Sequence, residues 1–129
     1  MKMWSGRFRQ PLDEKFERWQ RSFPFDCILI HYELAASRAH TRALALCGAI
    51  SDAERETILS GLSQIADRAK SIASFFADPD AEDVHHFVEK QLVTLIGDTG
   101  YKLHSGRSRN EQIATDLRLY VRDSIDTLQ

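Results

Sequence analysis

Apolar positions along this chain recur at three- and four-residue steps, and strict alternation is nowhere sustained long enough for a strand. The most regular run is Ile113, Leu117, Val121, Ile125 and Leu128, which predicts a helix starting near Arg109 with this stripe buried. Ser108 and Glu111 have the form of a capping box at its front. A second capping box, Ser51 and Glu54, precedes Ile58, Leu62, Ile65, Ala69, Ile72 and Phe76. Residues 26–47 predict a helix pairing with that one as a hairpin. Its wide apolar face comprises Ile28, Leu29, Tyr32, Ala35, Ala36, Ala39, Ala43 and Leu46, and Gly48 closes it. Val84, Phe87, Val88, Leu92, Leu95 and Ile96 predict another helix, capped by Asp83 and ended by Gly97. Residues 11–20 suit a short helix with Leu12, Phe16 and Trp19 on one side. The pattern is that of an all-α protein.

Between these elements the pattern is interrupted. Residues 1–11 read as an extended arm, residues 21–25 as a break imposed by Pro24, and residues 77–81 as an acidic, proline-interrupted linker. Residues 97–100 read as a tight turn and residues 101–103 as a short extended step. The last stripe is still running at Leu128, so the chain is expected to be a fragment that stops within a longer helix.

Composition narrows the class. With 129 residues, 43% of them hydrophobic and 28% charged, the chain suits one core of ordinary size. A formal charge of -2 gives no general attraction for nucleic acid or an anionic membrane, and no apolar run resembles a signal peptide or a span, so a cytoplasmic protein is expected. Cys27 and Cys47 are read as reduced core thiols. His31 and His40 stand alone and are read as surface or capping residues. His85 shares a helical face with Glu89, and Glu82 with His86, but two ligands on one helix without a third do not make a metal site.

The segment before the last helix carries the candidate chemistry. Unpaired amides at a helix start favour an anion, and Arg107 and Arg109 add formal charge beside Ser108 and Asn110. A carboxylate or phosphate would fit. Equally, the arginines could fix the loop or pair with nearby carboxylates, and charge alone does not separate the two.

A longer comparison does. Lys-Leu-His-Ser-Gly-Arg-Ser-Arg-Asn-Glu-Gln-Ile-Ala-Thr-Asp-Leu, residues 102–117, resembles the signature of the argininosuccinate lyases of the aspartase/fumarase superfamily. Glu82-Asp83-Val84-His85 is similar to that family's Glu-Asp-Ile-His, and Trp4-Ser5-Gly6-Arg7-Phe8 to its N-terminal arm, in which Arg7 and Phe8 would be anchors. Ser22 and Asp26 stand at the family's Asn-x-Ser-x-x-x-Asp, with Gln20 in place of Asn. Ser105 for Thr and Glu111 for Asp are the departures within the signature.

The resemblance implies the helical N-terminal domain of the aspartase/fumarase-type fold over residues 1–107, and the beginning of a long central-bundle helix over residues 108–129. It implies Ser22, Ser108, Arg109 and Asn110 as substrate-binding residues, with Asp83, His85, Arg107 and Gln112 supporting the cleft, while His86 has no family counterpart and is read as ordinary surface. It further implies cleavage of L-argininosuccinate to L-arginine and fumarate, no metal or organic cofactor, and a homotetramer. The family's serine loop and histidine segment have no match here, so no catalytic residue is expected in this chain and no turnover by it alone. The alternatives are another fumarate-releasing lyase, whose loop usually reads Thr-Ser-Ser-Asp or Ser-Ser-Asn-Asp, and a non-catalytic, crystallin-like relative. Phosphate or nucleic-acid binding is disfavoured by the acidic balance and the lack of stacking aromatics near the loop.

Overall fold

The computed structural model describes Gln10 and residues 12–128, all helix, turn and loop; the predicted N-terminal arm around Arg7 and Phe8 lies outside the described residues. Among the described residues six α-helices follow one another: α1 Glu14–Gln20, α2 Phe23–Asp26, α3 Ile30–Leu46, α4 Asp52–Ser71, α5 Val84–Ile96 and α6 Arg109–Leu128. Short 3-10 turns, Cys27–Leu29 and Gly97–His104, lead into α3 and follow α5. No described helix is long and apolar enough to cross a membrane.

The predicted helices form where their caps place them. Ser51 accepts the Glu54 amide at 3.1 Å while Glu54 returns a bond to the Ser51 amide at 2.9 Å, so the box starts α4. Asp83 caps α5 through the His86 amide at 2.7 Å. Two of the expected interruptions are helical instead. Pro24 sits in the first turn of α2, where its missing N–H costs nothing. Residues 97–104 wind as a 3-10 turn folded back on α5 rather than as a turn and an extended step. Gly100 permits this, because a Cβ there would lie 2.9 Å from the Val93 backbone nitrogen.

The dry core lies between α3, α4 and α5. Ile58, Leu62 and Ile65 of α4 meet Val84, Phe87, Val88 and Leu92 of α5 and Ile30, Leu34 and Leu44 of α3. Phe87 is fully enclosed, stacked on Phe23 at 4.7 Å with Phe75 edge-on at 5.1 Å. The linker is pinned, not loose. Asp78 holds the amides of Asp80 and Ala81 and the Lys90 ammonium, and Arg21 donates to the carbonyls of Asp78 and Ala81.

Several faces are not those the periodicity predicts. α3 buries Ile30, Glu33, Leu34, Ser37, Thr41 and Leu44, whereas Ile28 and Leu46 of the expected apolar face are exposed. α6 buries Gln112 and Asp116, and Leu117, Val121 and Ile125 are 47%, 51% and 49% exposed. The reason lies in what each helix meets: α3 and α6 pack on each other through polar side chains, leaving the apolar stripe of α6 outside. Leu12, just before α1, and the α1 residues Phe16 and Trp19 are likewise exposed. Cys27 is half-buried and Cys47 exposed, both free thiols, so Cys47 is no core residue. His86 is buried, not surface, because its ring turns back to accept the Glu82 amide at Nδ1, 3.2 Å away.

Candidate functional site

The loop between the second 3-10 turn and α6 is where the candidate residues converge. Gly106 takes a positive φ of 68°, a conformation few side chains tolerate, and the chain reverses there. His40 Nε2 donates to the Ser105 carbonyl at 2.9 Å and fixes the loop against α3. Arg107 then turns inward and Ser108, Arg109 and Asn110 follow at the front of α6.

Two clusters result. The first is buried and lies between α3, α5 and α6. Glu33 Oε2 is 2.7 Å from His85 Nδ1, and Glu33 Oε1 accepts from Ser37 Oγ at 2.8 Å and Gln112 Nε2 at 3.2 Å. Arg107 donates to Ser37 Oγ at 2.9 Å and brings its other nitrogen to 3.8 Å from Glu33. Asp116 is wholly enclosed beside them, its Oδ2 at 4.0 Å from His85 Nδ1.

Burial would raise the pKa of Glu33, but the His85 hydrogen bond and the charges of His85 and Arg107 outweigh it and hold the carboxyl below its ordinary range. Burial would lower that of His85, yet the bond and charge of Glu33 outweigh it and raise it above its ordinary value. For Asp116 the charges of His85 and Arg107 act downward, as on Glu33, but are outweighed. Burial first, and then the charge of Glu33, push it up to about 8, and the acid keeps its proton at neutral pH.

The second cluster is half-buried at the front of α5. Arg109 Nη1 meets Asp83 at 2.7 Å and Glu82 at 3.3 Å. Asp26 reaches the same place, its Oδ1 accepting the Val84 amide at 3.0 Å while its Oδ2 takes the Ser22 hydroxyl at 2.6 Å. Ser22 also donates its amide to the Glu82 carbonyl at 3.0 Å. Burial, and after it the charge of Asp83, raise the pKa of Asp26 against the Ser22 bond.

The predicted residues thus divide. His85, Arg107 and Gln112 join the buried cluster; Asp83 and Arg109 pair directly; Ser22 stands one link away through Asp26. Ser108 and Asn110 remain exposed at the front of α6, and no hydrogen bond among the described residues ties the Asn110 side-chain amide. The Ser108–Glu111 capping box does not form. The Ser108 hydroxyl instead meets the Asn110 amide at 3.4 Å, the looser bond two residues on. Arg109 is countered by the carboxylates of Asp83 and Glu82, so the open anion-attracting groups at this end are the helix front, Ser108 and Asn110.

Glu33, Ser37 and Asp116 escape the sequence reading, although a signal exists. Glu33, Ser37 and Thr41 fall in helical phase with Ile30, Leu34 and Leu44, and Gln112 and Asp116 lie one turn apart on α6. A charge inside an apolar phase marks a buried polar group. Glu33, His85 and Asp116 also supply the three ligand-type atoms within 4.8 Å that one helix alone could not. Arg107 already brings a positive charge to this group, 3.8 Å from Glu33.

Comparison with known proteins fits this arrangement. Residues 6–129 match the family model described as lyase. The chain is 60% identical to the argininosuccinate lyase of Koribacter versatilis (strain Ellin345) over 126 residues, which is 98% of this chain and 26% of that protein. It is 52% identical over 134 residues to the argininosuccinate lyase of Acidobacterium capsulatum, covering 100% of this chain and 28% of the relative. It is 51% identical to that of Synechococcus sp. (strain JA-3-3Ab) over 98% of this chain and 26% of the relative. The chain therefore spans about a quarter of the length of the curated relatives it matches.

Proposed function

Because this chain belongs to the lyase family, we propose that it is the N-terminal part of an argininosuccinate lyase and contributes substrate-binding segments to cleavage of L-argininosuccinate into L-arginine and fumarate. The observation that carries this reading is the solvent-open front of α6, with Ser108 and Asn110 exposed beside Arg109, in a chain 60% identical to one such enzyme.

Elimination removes a proton beside a carboxylate and expels a guanidinium nitrogen, so negative charge builds on that carboxylate as the bond breaks. Donors fixed beforehand lower that barrier. In this reading Ser108, Asn110 and the first amides of α6 bind the succinyl carboxylates. Arg109 lends charge while Asp83 and Glu82 orient its guanidinium. Ser22 reaches the substrate from the neighbouring turn, and His85, Arg107 and Gln112 support the cleft from below. The proton-transferring groups come from outside this chain, no metal or organic cofactor takes part, and the whole enzyme is a cytoplasmic homotetramer. Residues 1–107 form its first domain and residues 108–129 open its central bundle.

Complementation tests the proposal. The chain is co-expressed with the remaining three-quarters of the Koribacter relative, and fumarate release is followed by ultraviolet absorbance. Release by the pair, none by either part, and its loss with Asn110→Ala are expected. Release by the chain alone, or a pair indifferent to Asn110→Ala, overturns the proposal.

A further inference from the structure

Four polar atoms in the buried cluster have no hydrogen-bond partner among the described residues: both carboxyl oxygens of Asp116, His85 Nε2 and Gln112 Oε1. Their neighbour Glu33 is the opposite case. It gathers Ser37 from its own helix, His85 from α5, Gln112 from α6 and, through Ser37 and at 3.8 Å directly, Arg107 from the loop. The groups facing Asp116 are Glu33 on α3, His85 on α5, Arg107 from the loop and Gln112 one turn earlier on α6, with Asp83 acting on His85 from further out. His85 lies 2.7 Å from Glu33 against 4.0 Å from Asp116, Arg107 comes within 3.8 Å of Glu33, and among the described residues no hydrogen bond reaches the Asp116 carboxyl.

We propose that Glu33 and Asp116 are positioning residues of the lyase site, Glu33 as the shared acceptor that anchors the chain on both sides of Ser108–Asn110, and Asp116 as the neutral acid that leaves Glu33 its charge. This rests on the lyase reading above, which is what makes the bracketed residues a binding segment. Arg107 and Gln112 flank Ser108, Arg109 and Asn110, and both end on the same carboxylate or on the serine bonded to it. The exposed segment is therefore held at two points from beneath.

The charge state of Asp116 decides whether the anchors hold. Two adjacent buried carboxyl groups do not both ionise cheaply, and one of them then retains a proton. Its raised value of about 8 agrees with the geometry. Once ionised, Asp116 competes with Glu33 for His85 and Arg107, and the loop anchor weakens.

The test uses the 129-residue chain and amide resonances by heteronuclear NMR. In the wild type, the amides of Arg107–Asn110 should shift together through one transition between about pH 7 and 9. Asp116→Asn, which keeps a donor and cannot ionise, should retain the low-pH positions and abolish the transition. Glu33→Gln should displace these amides at every pH while those of Ile58, Leu62 and Ile65 stay in place. A wild type with no transition, a transition that survives Asp116→Asn, or amides untouched by Glu33→Gln overturns the proposal. This readout needs no substrate. Amide responses as expected with no fumarate release from the complemented pair support the clamp and overturn the lyase reading; release without those responses overturns the clamp alone.

Discussion

α3 has two interfaces of opposite character. Toward α4 and α5 it presents Ile30, Leu34 and Leu44 to Ile58, Leu62, Phe87 and Leu92, a dry contact held by apolar burial. Toward α6 it presents Glu33 and Ser37 to Arg107, Gln112 and Asp116, a contact held by hydrogen bonds and charge. The second is the dearer way to join helices, because each polar group leaves water and must find a partner inside. The contrast also concerns what is left outside. α4 and α5 bury their apolar stripes, whereas α6 carries Leu117, Val121 and Ile125 on its open side. The dry interface makes the fold, and the polar one sets where the front of α6 stands.

Substitutions can break this contrast in order of expected effect. Phe87→Ala, which empties the centre of an aromatic cluster, should cost about 3–5 kcal/mol in urea denaturation. Glu33→Ala removes the carboxylate that His85 and Arg107 both approach and should cost about 3 kcal/mol by the same measurement. A Glu33→Ala variant as stable as the wild type would mean the polar contact is an idle surface.

The pH dependence sharpens the comparison. Asp116 titrates near 3.8 when unfolded and at about 8 when folded, so the unfolded chain loses its proton first and stability from this group falls as pH rises between those values. Glu33 runs the other way: its folded value is depressed, and its contribution is lost as pH falls through that value. The raised His85 value adds stability at low pH that is lost as pH rises through it. Asp116→Asn should therefore lessen the decline in melting temperature between about pH 4 and 8 without flattening the acid side. Ser51→Ala, removing one half of the α4 cap, should cost about 1 kcal/mol. Leu117→Gln, on the open stripe of α6, should change stability by less than about 0.5 kcal/mol, and a larger loss would show that the stripe is covered in solution.

Much of the framework was legible in the chain. The Ser51–Glu54 box, the Asp83 cap, the glycine after α5 and the onset of α6 at Arg109 are local signals, settled within a few residues of one another. The candidate site was legible only in part. Arg107, Gln112, Asp83 and His85 stand out by resemblance, whereas Glu33 and Asp116 are signalled only by their helical phase with Ile30, Leu34 and Gln112, which is easily passed over because a lone carboxylate in a helical run reads as solvated surface. His86 reads as surface and is buried, and Cys47 reads as core from its apolar run and is exposed, because neither run shows which side its neighbours cover.

By itself, then, the sequence determined the four longer helices and the caps that start α4 and α5, because helical periodicity and capping act across one or two turns, but not α2 or the 3-10 turn after α5. Tertiary structure alone decided which face of α3 and α6 turns inward. That choice depends on what the partner helix offers, and here it offers His85 and Gln112 to Glu33 across 52 and 79 residues of chain. No local pattern encodes a contact of that separation. It exists only once the dry core has brought α3, α5 and α6 together.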